Sequence, residues 1–217
     1  MSNFLAVATV TAALRQVVDD AIRADANVNG ASVTTVRPGG TPAQTPETGV
    51  NVYLYSATPN VAWRNADLPT RREDGALAQR PVAALDLHYL ISFYGDDTLL
   101  ETQRLMGSVV RALHAQPTLP RAKLREVITA NTHLSASDMT DATEAVRLTP
   151  TTLSLEELSK VWSVLFQTPY ALSLAYQATV VLIEATDRPQ PALPVRSAAI
   201  PMQRCREIRP AGPRRGR

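Results

Sequence analysis

Between Leu148 and Ala185 the chain reads LTPTTLSLEELSKVWSVLFQTPYALSLAYQATVVLIEA, and this run leaves few folds open. Ser154-Leu-Glu-Glu157 has the form of a capping box. In that arrangement the serine hydroxyl accepts from the backbone of Glu157, whose carboxylate reaches back. Leu155, Leu158, Trp162 and Leu165 recur at helical spacing along one side, and Leu153 and Leu158 stand where a hydrophobic staple would form. Thr168-Pro169 ends the helix, because a residue preceding proline is pushed out of the helical region. A strand follows at once over Tyr170–Glu184, with Leu172, Leu174, Tyr176, Ala178, Val180 and Leu182 on one face. A capped helix joined by a short elbow to a long half-apolar strand must lie against a sheet.

The rest of the chain supplies that sheet. Val7, Val10, Leu14, Val17, Val18, Ala21 and Ile22 mark the apolar stripe of a helix over residues 3–26, closed by Asn29-Gly30. Ser32–Val36 and Gly49–Ala57 read as strands, separated by a loop with three prolines and three glycines at 37–49. Val82–Tyr94 is the longest strand. Its positions Ala83, Leu85, Leu87, Tyr89, Ile91 and Phe93 form a nearly pure apolar face that should meet the core. A helix capped by Asp96 or Asp97 is expected to about Ala115, burying Leu99, Met106, Val109, Val110 and Leu113. A shorter helix spans Pro120–Ala130 with Leu124, Val127 and Ile128 inward, and a strand spans Ala142–Leu148. The order of elements implies an α+β domain over residues 1–186, a mainly antiparallel or mixed sheet packed by helices. Hydrophobic residues make up 45% of the 217, enough for a single core of that size.

Two segments fall outside this pattern. Thr58–Pro81 is a long polar loop without periodicity, the kind that in a compact domain is functional or disordered. Within it Trp63 sits beside Arg64, either anchoring the loop to its own domain or reaching a partner; Arg71 and Arg72 join them as candidate contacts. Residues 187–217 hold six prolines and eight arginines against Asp187 and Glu207, so the net +2 is a basic arm on a mildly acidic body. The arm reads as an extension rather than a second domain. Arg196, Arg204, Arg206 and Arg209 are its candidate contacts with an acidic neighbour. Nucleic acid is not expected as the partner, since the arginines lack interleaved aromatics and no DNA-binding motif accompanies them.

Nothing in the sequence has the pattern of a catalytic or cofactor site. It contains no glycine-rich phosphate loop, no nucleophile elbow and no Cys/His metal spacing. His88, His114 and His133 fall on a strand, a helix end and a loop, as unrelated structural residues do. Glu156-Glu157 and Asp96-Asp97 stand at helix starts, where carboxylates offset the helix dipole. The single cysteine, Cys205, rules out a disulfide framework and suits a reducing compartment; it lies in the arm between two arginines and reads as an incidental thiol. The opening MSNFLAVATVTAALRQ lacks a basic n-region, and Thr9, Thr11, Arg15 and Gln16 interrupt its apolar residues. Neither a signal peptide nor membrane insertion is expected. No enzyme, cofactor or metal is predicted.

Several strings, in this order, resemble the cap or tail-terminator family of extracellular contractile injection systems, phage-tail-like particles with a tube inside a contractile sheath. They are Ala6–Leu14; Val50-Asn-Val-Tyr-Leu-Tyr55, Thr58-Pro-Asn60 and Arg64-Asn-Ala-Asp-Leu-Pro69; Gln79-Arg-Pro81, Leu85–Leu90, Phe93–Asp96 and Gln103–Val110; and Leu148-Thr-Pro150, Ser154–Ser159, Trp162 and Gln167–Tyr170 with the Tyr176 strand. The resemblance covers residues 3–185 and implies a tail-terminator-like fold. It also implies a non-enzymatic subunit of a homohexameric ring that closes the baseplate-distal end, ends tube and sheath polymerisation, and has sheath and inner-tube subunits as partners. Assembly in the cytoplasm and later residence in the particle follow from the same likeness. An assembly chaperone or adaptor that binds tube or sheath subunits transiently is the alternative from a different class.

Overall fold

The computed structural model describes residues 2–24, 30–39, 46–63, 70–72, 76–142, 144–165 and 168–186. Five strands form one mixed sheet: β1 (Ser32–Thr34), β2 (Gly49–Pro59), β3 (Val82–Tyr94), β4 (Arg147–Thr151) and β5 (Ser173–Glu184), in the order β1-β2-β3-β5-β4. Only the β1–β2 pair is parallel. The helices are α1 (Ala6–Arg23), α2 (Glu101–Ala115), α3 (Arg121–Ala130) and α4 (Leu155–Val164). The architecture is therefore α+β, as the sequence implies.

The sheet has an inner and an outer face. On the inner face Leu87, Tyr89, Ile91 and Phe93 of β3 are buried with Val10, Leu14 and Val18 of α1, Leu105, Val109 and Leu113 of α2, and Leu124 and Val127 of α3. This is the expected apolar face of β3 meeting the core. Tyr89 is buried whole, and its hydroxyl finds Thr11 Oγ1 at 2.8 Å. Burial pushes that phenol well above its ordinary pKa, with the Thr11 bond opposing part of the rise. The outer face carries α4 and a far smaller cluster of Leu90, Trp162 and Leu165, with Tyr53, Tyr55, Leu158, Val161 and Ala171 packed around it.

The capping box of α4 forms as read: Ser154 Oγ accepts from the Glu157 backbone N–H at 3.2 Å, and Glu157 Oε2 accepts from the Ser154 N–H at 2.9 Å. Asp96 rather than Asp97 is the cap of its segment, accepting from the Thr98 N–H at 2.7 Å.

Several expectations are corrected. The helix after Gly95 is not continuous. A 3-10 turn over Asp97–Leu99 is followed by Leu100 in the left-handed region (φ 54°), and α2 starts at Glu101. That break turns Leu99 out to solvent and makes Leu105 the buried leucine, while Val110 sits at the edge of the face, also exposed. The fourth strand lies at Arg147–Thr151 rather than Ala142–Leu148, because its pairing is set by β5. β1 ends at Thr34, and α1 ends at Arg23. On β5, Tyr176 and Ala178 face the core as read, but Val181 and Ile183 replace Val180 and Leu182 there. A register shift opposite Asp86, between Leu85↔Val181 and Leu87↔Ala178, inserts an extra β5 residue. One extra residue moves every later side chain to the opposite face.

Edges of the sheet are mostly covered. Beyond β4, the Leu119 N–H donates to Val146 O and the Leu148 N–H to Pro117 O, and Pro150 offers no N–H of its own. Past the end of β4, Ser2 covers β5: its carbonyl accepts from the Glu184 N–H, and its hydroxyl donates to Leu182 O.

Candidate functional site

The long loop is held at its base by a buried polar pair. Asn60 and Asp86 are both largely buried, and Asn60 Nδ2 donates to Asp86 Oδ1 at 2.9 Å. The Asn60 N–H donates to Ala84 O, and Asn60 Oδ1 accepts from the N–H groups of Ala62 and Trp63 at 3.0 and 3.1 Å. Asparagine suits this place because its amide serves as donor and acceptor together, closing a turn on its own backbone. The other end of the loop closes as a small hairpin: Arg72 N–H to Ala76 O, Ala78 N–H to Thr70 O, and an antiparallel bridge between Arg71 and Leu77. The Arg80 guanidinium then meets Glu184 at 3.5 Å, and the Ala185 N–H donates to Pro81 O.

This base places the predicted contact residues only in part. Trp63 is tied through its backbone to Asn60 while its side chain stays 40% exposed, next to an exposed Val61. Arg71 is exposed on the hairpin and Arg72 is half-buried. Arg64 of the loop and Arg196, Arg204, Arg206 and Arg209 of the arm lie outside the described residues.

A second surface was not read from the sequence. Around α4, Leu155 (84% exposed), Val164 and Tyr170 leave large apolar side chains in solvent. Leu155, Leu158, Ser159, Trp162, Ser163, Thr168 and Tyr170 line an open groove of about 630 Å³. Leu155 therefore shares the side of Trp162, as its spacing implies, but it stands at the open end instead of being buried. Trp162 Nε1 donates to Ser173 Oγ at 3.3 Å, and the Tyr170 ring meets the indole edge-on at 5.5 Å. Exposed contiguous apolar side chains of this kind mark protein contacts more often than chemistry. The signal available in the sequence was that Leu155 follows the cap directly, where a helix has no preceding turn to cover it.

Electrostatics at these surfaces is structural in character. Backbone and hydroxyl bonds from Ser154 hold the Glu157 carboxyl below its ordinary pKa, and bonds from Thr98 do the same for Asp96. Burial raises the Tyr55 phenol, and the Glu157 charge adds to the rise. The three histidines stay apart. His88 Nε2 lies 2.9 Å from Thr58 Oγ1, but its strand neighbour Asp86 is engaged with Asn60 instead, so no carboxylate–histidine–hydroxyl relay is assembled at that place. Among the described residues no group of three or more metal-ligating side chains comes together. No helix among them is long and apolar enough to cross a membrane.

Comparison with known proteins agrees with this picture of a scaffold with surfaces. No curated protein sequence matches the chain. Among solved structures, the sheath/tube terminator of the PVC extracellular contractile injection system, in its extended state, is similar with a TM-score of 0.55 at 18% identity, over 90% of this chain and 64% of that one. The tube-terminating cap of the anti-feeding prophage is similar with a TM-score of 0.53 at 21% identity, over 85% of this chain and 58% of that one. The chain thus spans less than two thirds of the length of either structure. The family model described as the Pvc16 N-terminal domain matches residues 9–197, and the chain belongs to that family, with the fold of contractile-injection-system cap and terminator proteins.

Proposed function

We propose that this chain is a structural cap subunit of a contractile injection system. The observation that carries the reading is the likeness over nearly the whole chain to a sheath/tube terminator and a tube-terminating cap. In this reading copies assemble as a homohexameric ring at the baseplate-distal end, contact sheath and inner-tube subunits, and end their polymerisation. The subunit assembles in the cytoplasm and then becomes part of the particle. It acts as a building block and not as an enzyme.

The surfaces support this reading. A subunit in a ring presents two different patches to its two neighbours, and closure requires only that the rotation between copies close on itself. The apolar groove at α4 and the exposed Trp63 are two patches of the kind such contacts use. Arg71 and Arg72 of the loop, with Arg64, and Arg196, Arg204, Arg206 and Arg209 of the arm, are proposed to pair with acidic surface on neighbouring subunits. Exposed ion pairs contribute about 0–1 kcal/mol each, so the apolar side chains must supply most of the affinity.

The test is a gene deletion with imaging of the particles, together with the copy number of the protein in purified particles. About six copies at one end, and tubes or sheaths of uncontrolled length without the gene, are expected under closed six-fold symmetry. Normal particles in the deletion strain would overturn the reading.

A further inference from the structure

Among the described residues, one edge of the sheet is neither short, nor blocked, nor covered. β1 pairs with β2 only from Gly49 to Asn51. Beyond it Asn51 substitutes for a strand, accepting from the Val36 N–H at 3.1 Å and donating to Val36 O at 2.9 Å. The chain then turns away over the outer face, where the Arg37 guanidinium donates to Val164 O. From Tyr53 to Pro59 no described strand lies on that side of β2. A bulge at Tyr55 twists this edge without covering it. At the Leu54 end of this stretch opens a groove of about 630 Å³ whose walls include Val7, Thr11 and Arg15 of α1, Val36, and Leu54 of β2. An unpaired edge beside an apolar groove is the setting in which an extended segment adds to a sheet: the main chain supplies hydrogen bonds and alternate side chains fill the groove.

We propose that this edge receives the arm of a second copy of the chain, as an added antiparallel strand. The inference rests on the self-associating subunit proposed above. The arm begins beyond Thr186, at the end of the sheet where β2 also finishes, since Pro59 pairs with Leu85 and Leu85 with Val181. A segment starting there runs back along β2 in the antiparallel sense. Of its two longer runs free of proline, Val195-Arg-Ser-Ala-Ala-Ile200 between Pro194 and Pro201 matches the six residues of Tyr53–Thr58, whereas Met202–Arg209 is longer and carries Arg204, Arg206, Glu207 and Arg209. The former sets Val195, Ser197 and Ala199 on one face and Arg196 on the other. Proline removes a ladder donor, so flanking prolines confine pairing to that run. The eight residues from Asp187 to Pro194, at ~3.3 Å each, span up to about 26 Å before the run begins, enough to cross to an adjoining subunit. A copy's own edge is the less accessible target. The β3 end stands between β5 and β2, and it carries the loop base, fixed by Asn60–Asp86, Arg80–Glu184 and the Ala185–Pro81 bond.

The test uses the full chain in a Cys205→Ser background. One tagged copy carries Ala57→Cys on the edge and a differently tagged copy carries Ser197→Cys in the arm; the mixture is treated with a short bismaleimide. A covalent heterodimer is expected, and its loss, with self-association weakened at least tenfold, is expected when Val195 and Ala199 are changed to proline while Ser197→Cys is kept. The denaturation midpoint of the proline variant is measured alongside, so that weaker association is read in a chain that still folds. Absence of the heterodimer, or proline variants that associate like the parent, would overturn the proposal. So would cross-linking only within a single chain carrying both cysteines, which would mean that the arm folds back on itself. Particle capping is scored separately. Heterodimer formation with a chain absent from particles sinks the terminator reading alone; a chain present in particles without the heterodimer sinks arm exchange alone.

Discussion

The two faces of the sheet differ in how much of their apolar surface the chain itself covers. The inner face is sealed by α1, α2 and α3, and Leu87, Tyr89, Ile91 and Phe93 of β3 are almost wholly buried there; at the start of the strand Leu85 is half-buried and Ala83, read as part of this face, is exposed. The outer face has one short helix, a cluster of three buried side chains, and exposed leucine, valine and tyrosine around it. The inner face is a folding device. The outer face is half of one, with the other half left available for contact. A chain that must both fold alone and join a larger assembly can separate the two tasks in this way, since apolar groups that are essential to the core are not the ones offered to a partner.

Substitutions should separate the faces in energy. Phe93→Ala on the inner face is expected to cost about 3–5 kcal/mol, because a close-packed surround relaxes only partly around the cavity. Trp162→Ala should cost about 2–3 kcal/mol, less than usual for tryptophan, since the groove beside it is already open to water. Chemical denaturation of both variants checks the pair; equal losses would break the comparison.

Ser154→Ala removes the cap of the outer helix and is expected to cost about 1 kcal/mol. The same site sets a pH dependence. The folded-state pKa of Glu157 lies below its ordinary value of 4.5, so its contribution is fully present above about pH 4.5 and is lost as pH falls through the depressed folded value. Denaturation midpoints between pH 6 and pH 3 should show a shallower acid decline in Ser154→Ala than in the parent.

The smallest effect on folding belongs to Leu155→Ser, within about 0.5 kcal/mol, because the side chain is already in solvent. Its effect on assembly should be the larger one, seen as weaker self-association by light scattering. A Leu155→Ser variant that unfolds would show that the outer face is core after all.

Much of this was legible in the chain. The alternation of Val82–Tyr94 named the inner face of β3 correctly, since a strand buried on one side must be apolar at every second position. The capping box of α4 formed as read, because it uses only neighbours within a turn, whereas of the two aspartates offered as a cap Asp96 took the place, at a 3-10 turn instead of at α2. The core position of Trp162 followed from its spacing. Errors fell where a local rule met a distant partner. Leu99 was assigned to a helix face that Leu100 breaks, and Val180 was assigned to a strand face that the β3–β5 register shift inverts. The candidate site was less legible still. Trp63 was marked by its odd surroundings, but the anchor beneath it, Asn60 on Asp86, joins residues on different elements that no local rule pairs.

Periodicity and capping chemistry, read from the sequence alone, determined the α+β class, the start of α4 and the inner face of β3, because these depend on residues one turn or one pleat apart. The tertiary structure decided which strand edges are covered, where register slips, and which leucines stay in water. Those outcomes depend on what arrives from elsewhere in the chain: Ser2 on the end of β5, residues 117–119 beside β4, and no described strand beside the upper part of β2. A backbone edge looks the same in every sequence; only its neighbours make it open or closed.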